Sequence, residues 1–125
     1  MANPNLLGIS NVTGVTTNIV MGTTGIGSAY QTVLSNAAGS GKVYKIITIL
    51  ATNKMTDSCT LDVNINMEAA GAGSSTSLAD SMTVPALAGQ IVVDKNTPIY
   101  LMENRSIVAA ASTDTDITIS YEDIS

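Results

Sequence analysis

The sequence predicts an all-β protein, an antiparallel β-sandwich of jelly-roll-like arrangement. Three observations predict it. Apolar and polar residues alternate at period two, as they do along strands with one buried face. Turn signals rich in Gly, Asn, Asp and Pro recur every ~8–12 residues, the spacing of sandwiches and barrels. No window holds a helical period over three turns. At 125 residues the chain has the length of one domain.

The strands follow in order at 12–20, 29–36, 42–52, 58–67, 77–84, 90–94, 98–102, 105–111 and 115–122. The segment 58–67 is the clearest. Cys59, Leu61, Val63, Ile65 and Met67 fall on one face, and Ser58, Thr60, Asp62, Asn64 and Asn66 on the other. Ile117, Ile119 and Tyr121 alternate in the same way with Asp116, Thr118 and Ser120. Ile, Val and Thr suit such surfaces because their branched side chains are already stiff at χ1. The breaks between strands carry their own chemistry. Gly22 to Gly27, Gly39-Ser40-Gly41, the stretch from Asn53 to Asp57, Asp94 to Pro98 and Glu103-Asn104 all read as turns. Residues 69–75, mostly Ala, Gly and Ser, read as a flexible tip.

The segment 42–52 departs from simple alternation. By strict parity Val43, Ile47, Ile49 and Ala51 lie on one side, and Tyr44, Ile46 and Leu50 on the other. A strand apolar on both sides is covered on both sides. In a two-layer sandwich, a second subunit is the expected cover. The first 28 residues are rich in Asn, Thr and Gly and poor in charge. They read as an N-terminal arm and first strand (1–28) that reaches a neighbour, with 29–125 forming the sandwich. The candidate interface residues are therefore Tyr44, Ile46 and Leu50, joined by Val12, Val15, Leu6 and Leu7.

Composition removes whole classes of function. The chain has no His, one Cys, no Trp and no Phe. Ser-His-Asp and Cys-His catalysis, His metal sites, an internal disulfide and Cys-rich zinc sites are all excluded. No catalytic residue, cofactor or metal ligand is expected. Cys59, on an alternating strand, reads as a buried small hydrophobe. Five Lys and Arg against ten Asp and Glu give a net charge of −5, which argues against nucleic acid as a partner. No stretch reaches the ~20 apolar residues of a membrane helix, and no membrane partner is expected. The start has no basic segment followed by an apolar run, so it does not read as a signal peptide. The stretch from Asn36 to Val43 lacks the opening Gly and the closing Ser or Thr of a phosphate loop and reads as a plain turn. Asp114, Asp116, Glu122 and Asp123 read as a solvated acidic edge; a calcium site is the alternative. Only 12% of residues are charged, half the share of an average domain. Neutral Thr, Ser and Asn stand where a free monomer would place Lys and Glu, as on a surface built to be covered by protein.

The last third carries a likeness. Val84-Pro85-Ala86-Leu87-Ala88-Gly89-Gln90-Ile91-Val92-Val93-Asp94 leads into Thr97-Pro98-Ile99-Tyr100-Leu101-Met102-Glu103-Asn104-Arg105-Ser106-Ile107, and the chain closes on Ile119-Ser120-Tyr121-Glu122-Asp123-Ile124-Ser125. This resembles the small β-sandwich virion structural proteins of tailed bacteriophages, cyanophage and marine types included, in which similar stretches recur together. The family's acidic-Gly-Asp turn is replaced here by Glu103-Asn104-Arg105; Asn tolerates the left-handed conformation that Gly supplies. The resemblance implies a non-enzymatic capsid decoration (cement) protein, made in the host bacterial cytoplasm and located in the virion. It further implies binding to the major capsid protein or other virion proteins, and self-association as a trimer. A tail, neck or fibre component is the structural alternative. A receptor- or carbohydrate-binding module using Tyr30, Tyr44, Tyr100 or Tyr121 is the alternative of another class.

Overall fold

The computed structural model describes residue 8 and residues 11–20, 30–70 and 73–125. Nine strands appear among them: β1 (Val12–Val20), β2 (Gln31–Asn36), β3 (Val43–Asn53), β4 (Cys59–Asn66), β5 (Ser75–Val84), β6 (Gly89–Val93), β7 (Ile99–Leu101), β8 (Arg105–Ala111) and β9 (Thr115–Ile124). One sheet runs β1-β9-β3-β6, with β7 also on β3; the other runs β2-β8-β4-β5. Every pairing is antiparallel.

This order is a jelly roll. Strands pair from the outside of the chain inward: β1 with β9, β2 with β8, β3 with β6 and β7, β4 with β5. That is one long antiparallel hairpin. Rolling it up adds the contacts of β3 with β9 and of β4 with β8, which split it into two facing sheets. The sequence-based expectation of a jelly-roll-like all-β sandwich holds.

The core fills the space between the sheets. Ile46, Ile49, Ile117 and Ile119 come from one sheet and Leu61, Val63, Ile107 and Ala109 from the other, all without exposed surface. Cys59 is buried and free, as read from the sequence; its Sγ lies 3.4 Å from Thr115 Oγ1. Burial of such side chains, at ~1.5–3 kcal/mol each, drives the two sheets together.

Strand β3 corrects the sequence reading. Ile46 lies opposite Tyr121 on β9, but the next partner, Ser120, lies opposite Thr48. Ile47 is an extra residue, a β-bulge, and a bulge reverses the parity that follows it. Tyr44 and Ile46 therefore face inward before it, and Ile49 and Ala51 face inward after it. The strand is not covered twice: one apolar face changes parity half-way. Ile46 is a core residue with no exposed surface, not an outward interface residue.

Strand β4 differs from expectation at its far end. It stops at Asn66, so Met67 lies beyond it and is exposed, while Asn64 and Asn66 on the supposed solvated face are buried. The following segment folds back against β2 and β8. Glu68 O accepts from Ser106 Oγ at 2.7 Å, Ala69 O from Ser35 Oγ at 2.6 Å, and Met67 O from Arg105 Nη1 at 2.9 Å. The start of the tip at 69–75 is thereby anchored; residues 71–72 lie outside the described residues. Asn104 has φ 55°, the left-handed conformation the sequence implied, and its Oδ1 accepts from Ala69 N at 3.2 Å.

Candidate interaction surfaces

Alternation and register map the outer face of the five-stranded sheet. Val12, Ile124 and Val43 lie side by side in one row. Gly14, Glu122, Lys45 and Tyr100 form the next. Thr16, Ser120 and Thr48 follow, with Thr16 Oγ1 3.0 Å from Ser120 Oγ. Asn18, Thr118, Leu50 and Ile91 form the fourth. The face thus carries Lys45 and Glu122 in its second row and hydroxyls in its third; Val43 and Ile124 in the first row are buried, while Val12 at that end and Ile91 at the other are exposed.

The seven candidate interface residues do not form one surface. Leu50 and Val12 are on this outer face, at opposite ends of it. Val15 lies in register with Tyr121 and Ile46, which puts it on the inner face at the sheet's edge. Tyr44 is half-buried and its ring packs on that of Tyr121, centroids 4.8 Å apart. Leu6 and Leu7 lie outside the described residues, as does the turn from Gly22 to Gly27. Sequence reasoning missed Ile91, 56% exposed and opposite Leu50. Its outward side follows only once the pairing with β3 is known.

One end of the sandwich carries a second apolar surface. The loops at 54–58, 85–88 and 112–114 gather there and are braced by buried Asn53. Its Nδ2 donates to Asp57 O at 2.8 Å, Val84 O at 3.2 Å and Pro85 O at 3.3 Å, and its Oδ1 accepts from Met55 N at 2.9 Å. Leu87 N donates to Met55 O at 3.1 Å, so the two loops touch. Both side chains point to water: Leu87 is 69% and Met55 44% exposed. Leu87 also has φ 53°, a conformation that costs an L-residue roughly 1–2 kcal/mol. The Leu87 side chain thus contributes little to the packing of the core.

The opposite end is braced in a similar way. Asn36 Nδ2, fully buried, donates to Lys42 O at 2.9 Å and Leu101 O at 3.0 Å, and its Oδ1 accepts from Ser40 Oγ at 2.6 Å. Gly41, at φ 70°, donates its N–H to Glu103 Oε1 at 2.9 Å. The stretch from Asn36 to Val43 is a structural turn that closes the end of the sandwich.

The C-terminal acids are paired with lysines. Lys54 Nζ sits between Asp114 Oδ1 at 3.1 Å and Asp116 Oδ1 at 3.0 Å. Lys42 Nζ meets Asp123 Oδ2 at 2.9 Å, and Glu122 stands opposite Lys45 in the β3–β9 register. Hydrogen bonds donated to Asp116 and Asp114 raise the Lys54 pKa above the usual lysine value, and the bond to Asp123 does the same for Lys42. Burial raises the Tyr121 phenol. Among the described residues, no three acidic or Cys side chains gather as metal ligands would. Nor do the tyrosines form a platform for a sugar ring: Tyr44 and Tyr121 pack on each other, while exposed Tyr30 precedes β2 of one sheet and exposed Tyr100 lies in β7 of the other.

No family model and no curated protein matches the sequence. Among solved structures, the chain is similar to one in the structure of the infectious bursal disease virus Gx strain, with TM-score 0.52, 11% identity, and coverage of 91% of this chain and 32% of that one. It is also similar to one in the crystal structure of the T13 infectious bursal disease virus particle, with TM-score 0.51, 10% identity, and coverage of 91% and 30%. The chain spans about a third of the length of the chains it matches. At this identity the likeness is one of fold: the same β-sandwich occurs in chains of a virus particle.

Proposed function

We propose that this chain is a structural, non-enzymatic component of a bacteriophage virion, and within it a decoration protein on the outside of the head. The observation that carries this reading is an exposed apolar end on a sandwich similar in fold to chains of a virus particle. Met55 and Leu87 are held in water by loops braced on Asn53, on the same sandwich as an outer sheet face whose Leu50 and Ile91 stand side by side. The resemblance of roughly residues 80–125 to small virion proteins supports the phage assignment. The partner is the major capsid protein of the shell. The contact uses the Met55–Leu87 end, Leu50 and Ile91, with residues 1–11 as an arm.

Purified particles carrying labelled protein test the reading. Label over heads, at a copy number on the scale of the shell subunits, is the expected result. Label confined to tails or necks, at the copy number of a single ring, overturns the head assignment in favour of a tail or fibre part. Absence from particles overturns the virion reading as a whole.

A further inference from the structure

An open sandwich has four sheet edges, and each is a row of unpaired backbone groups that invites another strand. Among the described residues, three of the four are interrupted. On β6 and β7 the edge is broken by the register shift opposite Ile49 and Leu50 and by the turn holding Asp94, Lys95 and Pro98. Strand β2 has only six residues and a register shift between Thr32 and Leu34. Strand β5 carries two register shifts, Asp80, and Ser81 at φ 51°, whose N–H is turned to Asp62 Oδ1 at 2.6 Å. Bulges, charges, prolines and short lengths are the devices that keep edges from pairing.

Strand β1 has none of them. It runs nine residues in unbroken register with β9, from Val12↔Ile124 to Val20↔Asp116. It contains no charge and no Pro. Among the described residues, no strand lies on its other side. We infer that this edge pairs, antiparallel, with β1 of a second copy, joining the two five-stranded sheets across a two-fold axis.

The sequence of β1 is compatible with itself in that arrangement. With Thr16 at the axis, Thr16 meets its own copy and Gly14 meets Asn18 on the outer face. Val15 meets Thr17 and Thr13 meets Ile19 on the inner face. No like charges oppose each other, and β-branched pairs across strands are favourable. The two cores stay on the same side of one continuous sheet. The pairing is two-fold, so a trimer would need another surface. The inference does not depend on the virion reading, because edge pairing is a property of the purified chain.

Sedimentation of the full chain at rising concentration tests it. A monomer–dimer equilibrium is expected, and backbone amides of β1 should gain hydrogen-exchange protection as the dimer forms. Thr16→Lys with Asn18→Lys places like charges across the axis and should weaken dimerisation at least about tenfold. Thr83→Lys, on the interrupted β5 edge, should leave it unchanged. Thermal unfolding checks that each variant folds, and Thr16→Lys alone, which still meets its own copy at the axis, serves if the double variant does not. A chain that stays monomeric, forms trimers, or dimerises equally well with the lysines in place overturns the inference.

Discussion

The side-chain amide of Asn53 donates to the carbonyl of Val84 at 3.2 Å, and this bond joins the two sheets. Asn53 ends β3 in the five-stranded sheet; Val84 ends β5 in the four-stranded one. Both residues are buried. The same amide holds Asp57 O and Pro85 O. Two chain reversals at one end of the sandwich therefore hang on a single side chain. Asn53→Ala leaves the buried Val84 carbonyl, the part-buried Asp57 and Pro85 carbonyls and the Met55 N–H without that partner. At ~1 kcal/mol per lost bond plus desolvation, a loss of about 2–4 kcal/mol is expected in urea unfolding. A loss below about 1 kcal/mol would show that the loops brace each other without it.

The strands were legible in the sequence because alternation is a local signal. Val12–Val20 and Arg105–Ala111 match their predicted bounds. What depends on pairing was not legible. Ile47 looks like any other strand residue until β9 is laid beside it and Ser120 falls opposite Thr48. The acidic C-terminal edge looked solvated because Lys54 is some sixty positions away in the chain from its partners Asp114 and Asp116. Asn64 and Asn66 looked exposed because alternation alone puts them on the polar side of β4, yet both are buried. A weak signal for the braces did exist: Asn36 and Asn53 each end an apolar strand just before a turn.

The parity change at Ile47 separates two residues that strict alternation had put together. Ile46 has no exposed surface, and Ile46→Ala should cost about 2–4 kcal/mol through lost burial and a cavity. Leu50, half-buried on the outer face, should cost less than about 1.5 kcal/mol when cut to Ala. Chemical denaturation of the two variants checks this. Equal costs would mean that both residues share one environment and that the bulge lies elsewhere.

The lysine pairs give a pH dependence with a definite sign. Lys54 and Lys42 have raised pKa values in the fold, through their bonds to Asp116, Asp114 and Asp123. A raised folded-state value means the contribution is complete below the unfolded value and is lost as pH rises through the folded one. Tyr121, raised by burial, acts in the same direction. Stability should hold through neutral pH and fall above about pH 10. Lys54→Met should flatten part of that alkaline slope. All three residues keep some exposure to solvent, which keeps the effect modest. Unfolding midpoints recorded from pH 7 to 11.5 measure it, and a fall that begins near pH 8 would point to a different group.

Leu87 separates stability from contact. Its backbone is at φ 53° and its side chain is 69% exposed. Asn adopts that conformation more readily than Leu, and little apolar burial is lost on replacement. Leu87→Asn should therefore leave the unfolding free energy unchanged or raise it by up to about 1 kcal/mol. Its retention on purified heads should nevertheless drop, because the apolar end formed with Met55 is removed. Combining it with Met55→Ser should weaken retention further. Co-sedimentation of the variants with stripped particles reads this directly. A variant that is more stable and still fully retained would remove the Met55–Leu87 end from the contact and leave the outer sheet face, with Leu50 and Ile91, as the surface that meets the shell.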